Sequence, residues 1–313
     1  MEVARPRPGD LERAQPASPR APFVMVALGA AVISVTALFV KWLALGPAAI
    51  GAYRCGLGAA ALLPLAWLSR QTGPKGQEAP GRGRAVGYAA LAGACYAGDL
   101  FVWHRSILYS GTGLATVLAN TQVFWVALLS ALLLGERLTR RFAVCALLAV
   151  FGTVLLALPG LERSPVHLRG VLLGLLTGVF YAGYYMALRT AQRGGGALGV
   201  MEALLVSSAT AAALLVAAAL ATGESLALGS AGELGLLLLL GVGAHVGGWA
   251  LISRGMPLVP AASGSLLLLL QPVLATLWGV LLFAEAFGPV EAAGTLLSLG
   301  AIYAATVSRS PPR

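Results

Sequence analysis

Beyond residue 21 the chain is a succession of long apolar runs separated by short clusters of Pro, Gly and charge. Ten such runs cover about 22–44, 48–69, 85–106, 113–134, 141–158, 168–190, 198–221, 233–253, 260–283 and 289–308, numbered here as segments 1 to 10. A hydrocarbon core of about 30 Å is crossed by about 20 apolar residues in helical form. Most of the runs have that length; segment 5 is the shortest, and the boundary between segments 3 and 4 is the least marked. The pattern predicts an all-α polytopic membrane protein with ten transmembrane helices.

Composition supports the bilayer as the solvent. Hydrophobic residues make up 58% of the chain and charged residues 11%, with a mean hydropathy of +0.84, whereas soluble domains carry about 25% charge. A soluble fold has no interior large enough for so much apolar surface. The net charge of +9 is dispersed between the apolar runs and forms no continuous basic face with interleaved aromatics, which argues against nucleic acid as a partner. Cys55, Cys95 and Cys145 all fall inside segments without CxxC spacing, so they read as packing residues and neither a disulfide nor a metal site is expected. Residues 1–21 are polar, rich in Pro and Arg and lack a cleavable signal pattern; they read as a disordered cytoplasmic tail.

The distribution of Lys and Arg orients the segments. With the N-terminus inside, sixteen cations fall in cytoplasmic stretches, against Lys41, Arg105, Arg163 and Arg169 outside. Both termini are therefore expected in the cytoplasm, in the inner (plasma) membrane.

Shifting the chain by 149 positions superimposes Arg105 on Arg254, Gln122 on Gln271 and Glu136 on Glu285. Three rare polar residues in register, separated by apolar runs in both copies, mark a duplication with halves at 22–158 and 168–308. Five segments lie between equivalent points, and an odd number of crossings turns the copies to face opposite ways. Two inverted five-helix repeats are the construction of many secondary transporters, with one midplane cavity and two related gates.

The repeat ends carry a family likeness. VFWVALLSALLLGERLTRRFAVCALLAVFGTVLLAL from Val123 and PVLATLWGVLLFAEAFGPVEAAGTLLSLGAIYAA from Pro272 each resemble the apolar helix closing on Gly-Glu or Ala-Glu, then a Gly-punctuated helix, of the EamA family in the drug/metabolite transporter superfamily. The resemblance covers residues 22–308. It implies transport of small organic metabolites, with amino acids, nucleobases and amphiphilic drug-like compounds within the family's range. Two departures stand out: the family's Pro thirteen residues before the Glu is kept at Pro272 but is Val123 in the first copy, and Gly135 is matched by Ala284. Val123 predicts a straighter helix in the first copy.

Ionisable groups at membrane depth cost about 2.5–3.5 kcal/mol on insertion scales and so ask for a partner. Arg54 and Asp99 lie at similar depth in the outer half of segments 2 and 3, placed either to pair or to engage a zwitterionic or polar substrate; snorkelling of Arg54 and satisfaction of Asp99 by helix ends or water are the bland alternatives. Glu202, near the cytoplasmic start of segment 7, and His245, near the middle of segment 8, are candidates for proton coupling, His245 also for substrate contact; a helix N-terminus alone favours Glu202. Gln122 and Gln271 can orient a polar ligand or bond helix to helix. Tyr96, Tyr181 and Trp249 are candidates for an aromatic pocket, with Tyr184 and Tyr185 nearby, while Trp42 and Trp103 near segment ends read as interfacial anchors. Gly174 with Gly178 and Gly243 with Gly247 have the GxxxG spacing of close helix packing. Glu136 and Glu285 read as groups that fix helix ends or gate contacts.

The rival classes are weaker. A membrane enzyme needs a nucleophile, metal or phosphate motif, and HExxH, GxSxG, P-loop and His-cluster patterns are absent from the chain; no catalytic site, cofactor or metal is expected. A passive channel is expected to show rings of like charge, so uncoupled facilitation ranks behind coupled transport of a small molecule.

Overall fold

A computed structural model describes residues 20–72, 81–134, 140–193, 198–255 and 267–307; the tail at 1–19 and Glu136 lie outside them. Every regular element among these residues is a helix, as the absence of water in hydrocarbon demands: each backbone N–H and C=O must be satisfied within its own segment. Eight helices are long and apolar enough to cross a membrane: Ala21–Trp42, Pro47–Ser69, Arg82–Ser110, Thr112–Leu129, Arg140–Pro159, Val166–Gln192, Val200–Ala221 and Ala231–Ile252. Two further apolar helices, Leu270–Phe283 and Pro289–Val307, follow. Large apolar side chains such as Leu132, Leu147 and Leu296 are exposed on the outside of the bundle, where acyl chains take the place of a core.

The halves pack in matching pairs. With the 149-residue shift, segment 2 is the counterpart of segment 7, and the two pack together; segments 5 and 10 are counterparts and also pack together. Segment 3 lies against segment 6, and the equivalent pairing, segment 8 against segment 1, is present as well. Ser298 even bonds to the carbonyl of its own counterpart, Ala149, at 3.0 Å. Small residues make these approaches close. A Cβ on Gly29 would stand 2.8 Å from the carbonyl oxygen of Gly248, and one on Gly178, the counterpart of Gly29, would stand 2.5 Å from Thr121 Oγ1.

Several segments are interrupted. Segment 1 turns at Val35, where Ser34 and Thr36 hydroxyls donate to the carbonyls of Ala31 and Ile33. Segment 9 turns at Leu269, three residues before Pro272, whose missing N–H and bulky ring account for the break. Segment 4 turns at the equivalent place, Asn120–Thr121, which overturns the straight helix expected from Val123. Polar side chains do there what proline does in the other copy: Asn120 Nδ2 donates to Thr116 O at 2.8 Å and Thr121 Oγ1 to Leu118 O at 2.6 Å. Segment 8 is wound as a π-helix over Leu239–Gly248. The wider turn changes which glycines meet neighbours. Gly241 and Gly248 pack against segments 2 and 1, while Gly243 faces open space and Gly247 meets only its own helix, so the expected close packing through Gly243 and Gly247 is not found.

Candidate functional site

Contacts at the ends of the bundle frame the site. At one end Lys41 and Glu285 form an ion pair of 2.5 Å, and Glu285 accepts from Thr112 N at 2.9 Å and from Thr112 Oγ1 at 3.2 Å. Gly111, with φ of +90° and a Cβ position that would meet Glu285 Oε2 at 2.8 Å, is the residue that lets the carboxylate reach this helix start. Glu285 therefore ties the ends of segments 1, 4 and 9. Beside it Glu224 accepts from Arg105 at 2.6 Å and from the backbone of Ala48 at 2.7 Å, joining segments 2, 3 and 7. At the opposite end Arg82 and Glu202 pair at 3.1 Å, and Glu202 also accepts from Gly199 N in a capping box that starts segment 7. The structure thus places Glu202 at a helix start and outside the cavity that Arg54 lines.

Between these ends lies a cavity of about 110 Å³. Seven of the candidates meet in it: Arg54, Asp99, Tyr96, Gln122, Tyr181, Trp249 and Gln271. The helix breaks at Val35, Asn120–Thr121 and Leu269 all border it, through Ser34, Thr36, Asn120 and Leu268. Broken helices are how membrane proteins present polar groups at depth without exposing backbone to lipid.

Arg54 is 4% exposed and Asp99 7%, yet no ion pair joins them among the described residues. Nε and Nη1 of Arg54 and Oδ1 of Asp99 are buried with no hydrogen-bond partner. The guanidinium carbon sits 6.0 Å from the Tyr96 ring and 5.9 Å from the Trp103 ring, within cation–π range. Burying a charged donor without a partner costs more than a kilocalorie per mole, so snorkelling of Arg54 to the headgroups is ruled out by its position and the arrangement asks for something to fill it.

Trp103 corrects an expectation. Its indole is buried, lines the cavity and holds Nε1 without a partner, so it is no interfacial anchor; proximity to a segment end was the misleading signal, because segment 3 runs on to Ser110. Trp42, by contrast, is half exposed. Tyr184 stacks on Tyr96 with centroids 4.9 Å apart, and Tyr185 points outward. His245 stands one layer behind the cavity wall, with Nδ1 3.2 Å from Tyr96 Oη. The hydroxyl lining of Ser34, Thr36, Thr116 and Thr177, together with Asn120, was missed by sequence reasoning. One signal existed: Thr112, Thr116 and Asn120 recur every four residues and so form a polar stripe on an otherwise apolar helix.

On the other side of His245 is a larger, mostly apolar groove of about 580 Å³. It runs between segments 2, 7 and 8 near the end that carries Arg82 and Glu202, and is lined by Leu62, Leu68, Leu204, Ser208, His245 and Arg254 among others. Trp249 belongs to both the groove and the cavity. Among the described residues no group of three His, Cys, Asp or Glu could hold a metal ion.

The sequence matches a known family model twice, at residues 21–158 and 168–307, that of the EamA-like transporter family. The chain belongs to this family, and with it to the drug/metabolite transporter superfamily. It is a multi-pass membrane protein of transporter type. A Pseudomonas aeruginosa relative named "Uncharacterized protein PA1977" is 35% identical over 229 residues, which is 71% of this chain and 73% of that protein. The "Uncharacterized transporter YwfM" of Bacillus subtilis strain 168 is 27% identical over 265 residues, 84% of this chain and 86% of its own. A solved structure described only as a crystal structure of a protein covers 94% of this EamA chain and 100% of its own, with a TM-score of 0.59 at 22% identity; that likeness concerns the fold alone.

Proposed function

We propose that this EamA protein is a secondary transporter in the inner membrane, with both termini cytoplasmic, that moves small zwitterionic metabolites by alternating access. The observation that carries the reading is the set of buried polar atoms without partners around one cavity. Arg54 Nε and Nη1 and Trp103 Nε1 are donors suited to a carboxylate; Asp99 Oδ1 is an acceptor suited to an ammonium group. The amides of Gln122 and Gln271 and the rings of Tyr96, Tyr181 and Trp249 complete the wall. At about 110 Å³ the cavity is below the 300–1,000 Å³ of pockets for drug-sized ligands, which favours a small molecule over a bulky amphiphile.

Ten crossings in two five-segment halves of opposite orientation supply the movement. The matched packing of the halves supports this, as does the placement of Arg105 with Glu224 at one end and of its counterpart Arg254 beside the groove at the other. The ties made by Glu285 and Glu224 then close the outer side, and opening requires breaking them.

Uptake into proteoliposomes tests the reading. Labelled amino acids from glycine to phenylalanine are offered singly, with the matching amine and the matching acid as competitors. The expected result is uptake blocked by unlabelled zwitterion and not by either half-molecule; equal competition by the amine or the acid alone, or uptake of nucleobases in place of amino acids, would overturn it.

A further inference from the structure

Tyr96 and His245 are 149 positions apart, so they hold equivalent places in the two halves, and they touch. Their rings stack at 15° with centroids 5.5 Å apart, and Tyr96 Oη lies 3.2 Å from His245 Nδ1. Contact between equivalent residues puts the pair on the axis relating the halves. The other ring nitrogen, Nε2, lies 3.3 Å from Ser208 Oγ. All three residues are buried. Tyr96 lines the central cavity, whereas His245 and Ser208 line the groove on the far side. One hydrogen-bonded row therefore crosses the wall between the two spaces.

The ring is held in place. A Cβ on Gly58 would stand 2.6 Å from His245 Cδ2, and the π-helical stretch Leu239–Gly248 presents the imidazole to segments 2, 3 and 7 together. π-Helical turns are rare and concentrate at functional positions. The titratable and charged groups around the row are Arg54 and Cys55 from segment 2, Cys95 and Asp99 from segment 3, and Tyr181 and Tyr184 from segment 6, with Arg254 of segment 8 lining the groove. Segment 7 contributes only the Ser208 hydroxyl.

We propose that Tyr96, His245 and Ser208 form a proton relay between the substrate cavity and the inner groove, which makes transport proton-coupled; this rests on the transport reading above. A proton from cavity water reaches Tyr96 Oη as that hydroxyl gives its own proton to His245 Nδ1. The imidazolium so formed releases the Nε2 proton to Ser208 Oγ, and the serine's original proton passes to water in the groove. One proton crosses, only O–H and N–H bonds change, and the same steps run in reverse. The ring is left with its proton on Nδ1, so a second proton does not follow until it has reset. Glu202, paired with Arg82, takes no part.

The test uses the full-length protein in proteoliposomes, with a mixture of labelled zwitterionic amino acids as probe and a pH dye inside. Counterflow, which needs no gradient, reports substrate exchange; accumulation under an imposed pH gradient, with the dye signal, reports coupling. His245→Gln and Ser208→Ala are expected to keep counterflow within about twofold of the wild type and to lose accumulation, the inside-to-outside ratio falling to one, along with the substrate-dependent dye signal. Variants that concentrate the probe as the wild type does, a wild type that exchanges the probe but ignores the gradient, or loss of counterflow in both variants would overturn the relay. Failure of counterflow in the wild type itself would overturn the transport reading beneath it.

Discussion

Replacing Arg54 separates a binding residue from a packing residue, because the two roles predict opposite signs. In the structure Nε and Nη1 are buried donors without partners. A hydrogen bond from a charged group is worth about 1.5–3 kcal/mol, so two such bonds made to a substrate carboxylate contribute about 3–6 kcal/mol. At 1.4 kcal/mol per tenfold, Arg54→Gln weakens substrate binding by about a hundredfold to ten-thousandfold. The substrate-free protein responds differently. Removing unpartnered charged donors relieves a penalty of about 1–3 kcal/mol each, against the loss of two cation–π contacts worth about 0.5–2 kcal/mol each. The net is near zero, and the melting temperature of the purified protein in detergent stays where it was or rises. A structural ion pair broken on one side costs about 3–5 kcal/mol instead. Binding of the labelled probe by scintillation proximity and thermal unfolding of the same preparation decide the matter. A strongly destabilised variant that binds normally per folded molecule would refute the reasoning.

Three further outcomes follow from other parts of the molecule. Trp103→Phe keeps the ring and removes the donor, so it is expected to weaken probe binding by about ten- to hundredfold, the value of one hydrogen bond to a charged group, with little change in melting temperature. Glu285→Gln weakens the outer closure by about 1–2 kcal/mol, so a cysteine at Thr116, in a background without native cysteines, is expected to react about 5–30 times faster with an impermeant thiol reagent added outside; an unchanged rate would remove Glu285 from the gate. Gly29→Ala forces a methyl to within 2.8 Å of the Gly248 carbonyl and is expected to cost about 1–3 kcal/mol in thermal unfolding, whereas Gly243→Ala, facing open space, should be neutral.

The all-helical, membrane-spanning character of the chain was legible because hydrocarbon leaves the backbone few options, and rare polar residues in register exposed the duplication. Arg54, Asp99, Gln122 and Gln271 could be singled out for the same reason: each is conspicuous in an apolar run. What escaped is what depends on backbone irregularity. The break at Asn120–Thr121 has no proline to announce it, and the π-helix at Leu239–Gly248 has no sequence mark beyond its glycines. That winding moves the packing face from Gly243 and Gly247 to Gly241 and Gly248. Trp103 was misplaced because depth was counted from an assumed segment end, and the partner of Glu202 was not foreseen because a charge pair 120 residues apart, with Arg82, leaves no local pattern.

The opposite orientation of the halves is the claim on which gates, cavity and relay all depend, and Arg105 and its counterpart Arg254 test it most directly. Single cysteines at each position, in a background lacking the native three, are treated in sealed right-side-out vesicles with an impermeant thiol reagent. Arg105→Cys is expected to be labelled from outside and Arg254→Cys only after the membrane is opened. Labelling of both from the same side would contradict the account.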